Sequence, residues 1–198
     1  LLVQPIDEHD LEVLDQEVEI KKKLSGKPFS LVVFMIKDWN KELTPWPAPP
    51  VFGKIPFGNG ATDTLNFIVS QLLPLVQEEI PHVILGGYSL AGLFALWASY
   101  QIDKFEGIVA ASPSVWFPKW IEYATDNKPF AKSIYLSLGD KEEKTKNPVM
   151  AQVGNAIRKL NELLAEQIGN TILEWNPGNH FIDSEKRTAK GFAWVMNK

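Results

Sequence analysis

Short apolar runs alternate along this chain with segments whose apolar residues recur at helical spacing. The runs predict six β-strands, at residues 1–6, 29–36, 83–85, 105–111, 133–139 and 171–175. The second run is apolar almost throughout, as expected for a parallel strand that is covered on both faces. Because strands and helices alternate, the pattern predicts an α/β protein with a doubly wound, mostly parallel sheet and helices on both faces.

The helical segments between these strands carry their own start and stop signals. Residues 11–24 carry leucine and valine at helical spacing, with acids early and lysines late, as suits the helix dipole. A proline at position 74 predicts a kink in the helix of residues 62–76. Asn147, followed by proline, predicts the start of an amphipathic helix, and residues 184–196 predict the last helix.

The stretch of residues 37–60 is the least regular part of the sequence. It holds five prolines and several aromatic residues, among them Trp39 and Trp46. A loop of this length in a compact domain is usually functional or disordered, and the aromatic content argues against disorder. Three interpretations stay open: a surface loop packed on itself, a wall of an active-site cleft, or a contact in a homodimer.

The most informative stretch surrounds a serine between an apolar strand and an apolar helix. Residues 87–91, Gly-Tyr-Ser-Leu-Ala, have the spacing G-x-S-x-[G/A] of a nucleophile elbow. Small residues two positions before and after the serine allow the strand and helix backbones to come close together. The pattern therefore predicts Ser89 as a nucleophile at the carboxyl end of the central strand.

A serine hydroxyl needs a neighbouring base, and the sequence offers few. There are three histidines, and in this type of fold the chain order is serine, acid, histidine. His9 and His82 precede Ser89, and His82 lies at the start of the central strand, on the opposite edge of the sheet. His180 follows the last predicted strand, so we expect it to be the base.

The acid that orients the histidine is expected in the loop after the strand that ends at Gly139. Asp140, Glu142 and Glu143 all lie there. Hydrolases of this shape often carry the acid three residues after such a glycine, which favours Glu142 over Glu143. Asp140 needs a tighter turn, Asp183 is a fourth alternative, and a serine–histidine dyad without an acid stays open.

An oxyanion formed on the attacked carbonyl requires two N–H donors. One is expected to be the backbone amide of Leu90, the residue after the nucleophile. We expect the other in the turn after the first strand, at Ile6 or Asp7, although this turn lacks the glycine run of lipases.

Composition narrows the remaining function classes. The net charge of −4 argues against nucleic-acid binding, and no apolar run reaches the length of a membrane span. The chain has no cysteine and three histidines, so we expect no zinc or other metal site. The sequence contains neither a phosphate-binding P-loop nor the dinucleotide-binding motif G-x-G-x-x-G, so we expect no cofactor. We expect a single domain over residues 1–198 and a cytoplasmic location. Because the chain starts at Leu1 inside a predicted strand, upstream strands or a signal peptide are expected to be missing.

At these residues the chain resembles the putative-esterase family of α/β-hydrolases, which includes esterase D, enterochelin esterase and feruloyl esterase-like enzymes. The similar segments are the elbow and its helix at residues 87–96, Ser-Pro-Ser-Val-Trp at 112–116, Pro-Gly-Asn-His at 177–180 and the Leu-Thr-Pro loop within 38–47. The resemblance implies an α/β-hydrolase fold with Ser89 as nucleophile, His180 as base and an acid after the Gly139 strand. The chain departs from the family pattern at Ala91 and Asn179.

The residues and the resemblance together predict a serine esterase. We expect it to cleave a small-molecule carboxylic ester or thioester through an acyl-enzyme formed on Ser89. Trp39 and Trp116 are candidates for an aromatic substrate pocket. Two alternatives stay open: an acyltransferase that uses the same residues, and an inactive hydrolase-fold protein that binds a ligand or partner.

Overall fold

The computed structural model describes residues 1–76 and 82–198, and its centre is a six-stranded sheet. In order across the sheet the strands run β2-β1-β3-β4-β5-β6, and every neighbouring pair is parallel. The strands are β1 (Leu2–Ile6), β2 (Leu31–Met35), β3 (Ile84–Tyr88), β4 (Gly107–Ala111), β5 (Ser133–Gly139) and β6 (Asn170–Asn176). This is the predicted doubly wound sheet, and all six strands fall on predicted runs.

Helices cover both faces of the sheet. They are α1 (Glu8–Ser25), α2 (Trp39–Glu42), α3 (Ala61–Phe67), α4 (Leu73–Leu75), α5 (Leu90–Gln101), α6 (Trp120–Asp126), α7 (Val153–Gln167) and α8 (Ser184–Met196). Helices α1 and α8 pack together on one face, whereas α5 and α7 pack on the other. Within residues 1–76 and 82–198, no helix combines the length and apolar composition needed to cross a membrane.

Alternation along the central strands divides the core in two. Ile84 and Val109 point towards Phe192 of α8, whereas Leu85 and Ile108 belong to the larger cluster beneath α5. Ten of the twelve residues of α5 are apolar or glycine, and the helix is buried from Leu90 through Tyr100, as expected for one that crosses the centre of a core. This rigid strand–helix unit carries the elbow.

The apolar residues that recur along α1 are not its most buried ones, since Leu14 and Val18 are only half-buried. Leu11 is 52% exposed, whereas Glu17 and Lys21 are buried. The Lys21 ammonium group donates to the side chain of Gln4 at 2.8 Å and lies 4.2 Å from the centre of the Phe192 ring. Lys21 also forms a buried ion pair with Glu17, and these partners together compensate for the lost hydration of both charges. Helix α1 therefore packs through a polar face, which hydrophobic periodicity cannot detect.

Two predictions need adjustment. Strand β2 is only half-buried, because it is the outermost described strand of the sheet and has a neighbour on one side only. Near Pro74 the helix is not a regular α-helix, because α3 passes into a π-helical turn, Ile68–Leu72, before α4, and the kink at the proline stays a prediction. The predicted entry into β3 at Pro81 lies outside the described residues.

The long loop of residues 37–60 packs against the segment that follows β4. Trp46 donates its indole N–H to the carbonyl of Pro118 at 2.9 Å, and its ring contacts Phe117. Phe57 contacts Phe117 and Trp116. The loop therefore supports the wall that carries Trp116 rather than packing only on itself.

Candidate active site

Ser89 lies in the tight turn between β3 and α5, with φ 57° and ψ −120°. This conformation is strained for a residue with a side chain, and it persists because the flanking strand and helix hold it. A Cβ atom at Gly87 would lie 2.5 Å from the Cβ of Ala91, so any larger residue at 87 would push the helix away. The local geometry is that of the predicted nucleophile elbow.

Ser89, His180 and Glu142 form a continuous line of polar contacts. The Oγ atom of Ser89 lies 3.1 Å from Nε2 of His180, and Nδ1 of His180 lies 2.7 Å from Oε2 of Glu142. The glutamate side chain is 4% exposed and the histidine side chain 24%. The three predicted residues come from the loops after β3, β5 and β6, whose carboxyl ends meet at one edge of the parallel sheet.

The other predicted acids lie elsewhere. Glu143 binds Arg158 through two hydrogen bonds of 2.9 and 3.0 Å on the surface. Asp140 accepts a bond from the backbone N–H of Gly178 and so helps to hold the histidine loop. Asp183 is exposed and lies 3.7 Å from Lys186. A short 3₁₀ turn after β5 sends the two adjacent glutamates in opposite directions, so that only Glu142 contacts the histidine.

Several hydrogen bonds keep Glu142 ionised. Burial by itself raises the pKa of this carboxyl, but the bonds from His180, the Gly139 N–H and the Ser112 hydroxyl outweigh burial and hold the pKa below its usual value. The bonds from Gly139 and Ser112 to Oε1 measure 2.7 and 2.8 Å. The glutamate is therefore fixed in position and negatively charged.

Arg187 on α8 is a site residue that the sequence analysis missed. Its guanidinium group is buried and donates to Oε1 of Glu142 at 2.9 Å. It also donates to the carbonyl oxygens of Pro177 and Asn179, both at 3.0 Å, and to the hydroxyl of Tyr88 at 3.1 Å. One side chain thus connects the acid, the histidine loop and the strand before the nucleophile. The sequence did hold a signal for this residue. The chain has only two arginines beside eighteen lysines, and arginine is preferred for buried ion pairs that make several hydrogen bonds.

The segment after β4 contributes a second group of contacts. Ser112 has a φ of 43°, and its hydroxyl donates to Glu142. Ser114 places its hydroxyl 3.4 Å from that of Ser89, and its backbone N–H donates to the Ser89 carbonyl. Trp116 is half-buried beside these serines. The sequence analysis noted this motif only as a resemblance, and the structure shows how its residues contact the nucleophile and the acid.

The backbone geometry separates the predicted oxyanion donors. Leu90 is the first residue of α5, so its N–H has no partner within the helix. The carbonyl of Ile6 accepts a hydrogen bond from the N–H of Ile36, which follows β2. In an extended strand the N–H and the carbonyl of one residue point to the same side. The Ile6 N–H is therefore directed towards β2 and away from β3. The Asp7 N–H donates to Oδ2 of Asp10 at 3.2 Å. The Ile6 N–H thus faces β2 and the Asp7 N–H is already bonded to Asp10, so the structure favours neither over the other, and the second oxyanion donor stays a prediction.

A cavity of about 450 Å³ lies beside His180. Trp116 lines it, whereas Trp39 does not, because its side chain packs against the core. Ser89 is not part of the lining and borders the cavity through its contact with His180. Within residues 1–76 and 82–198, no three His, Cys, Asp or Glu side chains are grouped as a metal ion would require, so no residue is assigned to a metal.

Fold and site together define an ester-cleaving serine hydrolase of the α/β-hydrolase fold. A family model described as putative esterase matches residues 17–181, and the chain belongs to that family. The chain is accordingly a serine esterase. Comparison with curated protein sequences gives no match.

Solved structures with the same fold include several esterases. The siderophore hydrolase EstA from Aspergillus nidulans aligns with a TM-score of 0.73 and 21% identity over 99% of this chain and 82% of its own. An IroE-like serine hydrolase from Shewanella oneidensis aligns with a TM-score of 0.74 and 18% identity over 99% of this chain and 70% of its own. The enterobactin esterase FES from Shigella flexneri aligns with a TM-score of 0.70 and 17% identity, and this chain spans 52% of it. At these identities the likeness shows the fold alone.

Proposed function

We propose that this esterase cleaves a carboxylic ester or thioester through an acyl-enzyme on Ser89. The observation that supports this most directly is the contact line Ser89–His180–Glu142, with separations of 3.1 and 2.7 Å. The ionised glutamate favours the proton on Nδ1 of His180, which leaves Nε2 free to accept the serine proton. Three groups with these roles are what a serine hydroxyl needs to act as a nucleophile near neutral pH.

The proposed reaction has two halves that use the same groups. The Ser89 oxygen attacks the ester carbonyl while His180 takes its proton, and the oxyanion that forms is bound by the Leu90 N–H, a donor worth about 3 kcal/mol in such sites. His180 then gives the proton to the departing alcohol or thiol, and the acyl group stays on Ser89. Water, deprotonated by His180, attacks the acyl-enzyme and releases the acid.

Ser89→Ala tests the nucleophile, and the chain offers a matched control in Ser114→Ala, 3.4 Å away. We expect a fluorophosphonate to label the wild type and the Ser114 variant but not the Ser89 variant. Hydrolysis of p-nitrophenyl esters should fall by about 10⁴-fold or more in the Ser89 variant only. Labelling that survives Ser89→Ala would refute the assignment, and absence of labelling in the wild type would favour the inactive, ligand-binding alternative.

A burst of p-nitrophenol equal to the enzyme concentration, followed by slower turnover, supports the acyl-enzyme. An acyltransferase would instead consume the ester faster when an alcohol acceptor is added. Because the structural neighbours include a siderophore hydrolase and an enterobactin esterase, we propose siderophore esters as members of the substrate panel, beside feruloyl esters and thioesters. A single domain, a homodimer and a cytoplasmic location stay predictions.

A further inference from the structure

The cavity beside His180 is lined by a basic loop. Lys141, Lys144 and Lys146 all contribute to its wall, and all three are exposed. The only carboxylate in the lining is Glu142, whose charge is already bound by Arg187 and His180. The chain as a whole has a net charge of −4, so this positive wall is opposite in sign to the rest of the protein.

These lysines have no carboxylate partner within 4 Å in the part of the chain that the structure describes. The contrast lies within the same loop, where Glu143 is neutralised by Arg158. A cleft lined by charges of one sign concentrates the field and raises the local concentration of ligands of opposite charge. The three ammonium groups are therefore available to a ligand.

The rest of the cavity wall is largely apolar. Trp116, Met150, Val153 and Phe181 line it, and the Phe181 ring is 87% exposed directly after the candidate base. A volume of about 450 Å³ is typical of small-molecule sites. A ligand that fills this cavity would place an apolar body against Trp116 and a negative charge at the lysines.

We propose that the substrates of this esterase are anionic esters, with an apolar or aromatic body and a negatively charged group bound by Lys141, Lys144 and Lys146. This inference rests on the proposed function, because it assumes that the ester is cleaved at Ser89. The lysines do not take part in bond making. They bind the charged end of the substrate and so lower KM for anionic esters relative to neutral ones.

Two matched pairs of esters test the proposal on both sides of the scissile bond. On the acyl side, p-nitrophenyl hexanoate is compared with mono-p-nitrophenyl adipate, and on the alcohol side phenyl acetate with 4-acetoxybenzoate. The measured quantity is the ratio of kcat/KM for the anionic ester to that for its neutral partner. In the triple Lys→Gln variant of positions 141, 144 and 146 we expect this ratio to fall about tenfold for at least one pair, chiefly through KM.

A control variant removes three exposed lysines that lie outside the cavity, Lys23, Lys104 and Lys128, and changes the net charge equally. Its ratio should equal that of the wild type. Addition of 0.5 M NaCl should lower the ratio for the wild type and for this control but leave the cavity variant nearly unchanged. An unchanged ratio in the cavity variant for both pairs, or an equal loss for anionic and neutral esters, overturns the proposal.

A binding measurement separates this inference from the proposed function. The 4-nitroanilides of hexanoic and adipic acid carry the same bodies on an amide, and calorimetric titration of Ser89→Ala with each reports binding without ester cleavage. We expect tighter binding of the adipic compound, and loss of that preference in the cavity variant. If Ser89-dependent ester cleavage is observed but the adipic compound binds no more tightly than the hexanoic one, only the proposed substrate class is refuted. If none of the esters is cleaved, the proposed function is refuted. The titration then shows by itself whether the three lysines bind the negatively charged group.

Discussion

Arg187 offers the sharpest test of how the site is held together. Replacement by methionine keeps most of the buried volume but removes the guanidinium group. That group is 1% exposed and donates to Glu142, to the hydroxyls of Tyr88 and Ser112, and to two carbonyl oxygens of the histidine loop. The substitution therefore leaves a buried carboxylate without its cation and removes a donor from the carbonyls of Pro177 and Asn179, of which the Asn179 carbonyl keeps a 3.4 Å bond from the Ile182 N–H.

The expected loss of stability follows from this burial. Breaking a buried ion pair by removing one partner costs about 3–5 kcal/mol. For a chain of this length about 1 kcal/mol corresponds to about 2–4 °C in Tm, so Arg187→Met should lower Tm by roughly 6–20 °C. The ion pair of Glu143 with Arg158 supplies the control, because its side chains are 30% and 45% exposed. Arg158→Met breaks this pair and should lower the free energy of unfolding by about 1 kcal/mol or less. Thermal unfolding followed by circular dichroism compares the two variants.

Activity distinguishes a positioning role from a purely structural one. At a temperature where the variant is fully folded, we expect kcat for Arg187→Met to fall while KM changes little, because the histidine loop loses two of its anchoring bonds. Loss of the positive charge beside Glu142 should also raise the pKa of that carboxyl and move the acidic limb of the kcat/KM profile to higher pH. Equal Tm values for the Arg187 and Arg158 variants, or an unshifted profile with full kcat, would refute the reasoning.

Two further predictions concern carboxylates. Glu142→Gln should lower kcat by about 10³–10⁴-fold, whereas Glu143→Gln should stay within about twofold of the wild type, and p-nitrophenyl ester assays would contradict the acid assignment if the order were reversed. Burial, followed by the charge of Asp7, raises the pKa of Asp10 to about 6. Because this pKa lies above the unfolded value, the contribution of Asp10 to stability is present at low pH and is lost as the pH rises through 6. Asp10→Asn should therefore raise Tm more at pH 7.5 than at pH 4.5, and an equal change at both pH values would show that Asp10 does not titrate in this range.

The fold and two of the three candidate catalytic residues could be predicted because their signals are local. The elbow needs small residues at fixed spacing around Ser89, since the strand and helix backbones touch there. Apolar runs fixed the strands, and the order of residues along the chain left His180 as the only histidine after Ser89. Such patterns follow from backbone geometry and burial, so they can be recognised without knowing which segments meet.

The choice among acids, and the role of Arg187, depended on contacts between distant segments. Glu142 and Glu143 are neighbours of identical chemistry, and only the 3₁₀ turn after β5 sends one inward to His180 and the other outward to Arg158. The three-residue spacing after Gly139 favoured Glu142, and in the structure this is the carboxylate that contacts His180, while its role as the acid stays a prediction. The buried pair of Glu17 and Lys21 likewise could not be recognised from hydrophobic periodicity, which marks only apolar positions.

The sequence by itself determined the sheet, the elbow and the order of the candidate residues, because hydrophobic periodicity and steric limits act within a few residues. The tertiary structure alone decided which charges are buried. A charged side chain enters the interior only where a partner from another segment compensates for its lost hydration. Arg187 lies 45 residues from Glu142 along the chain, and no local pattern states that they meet.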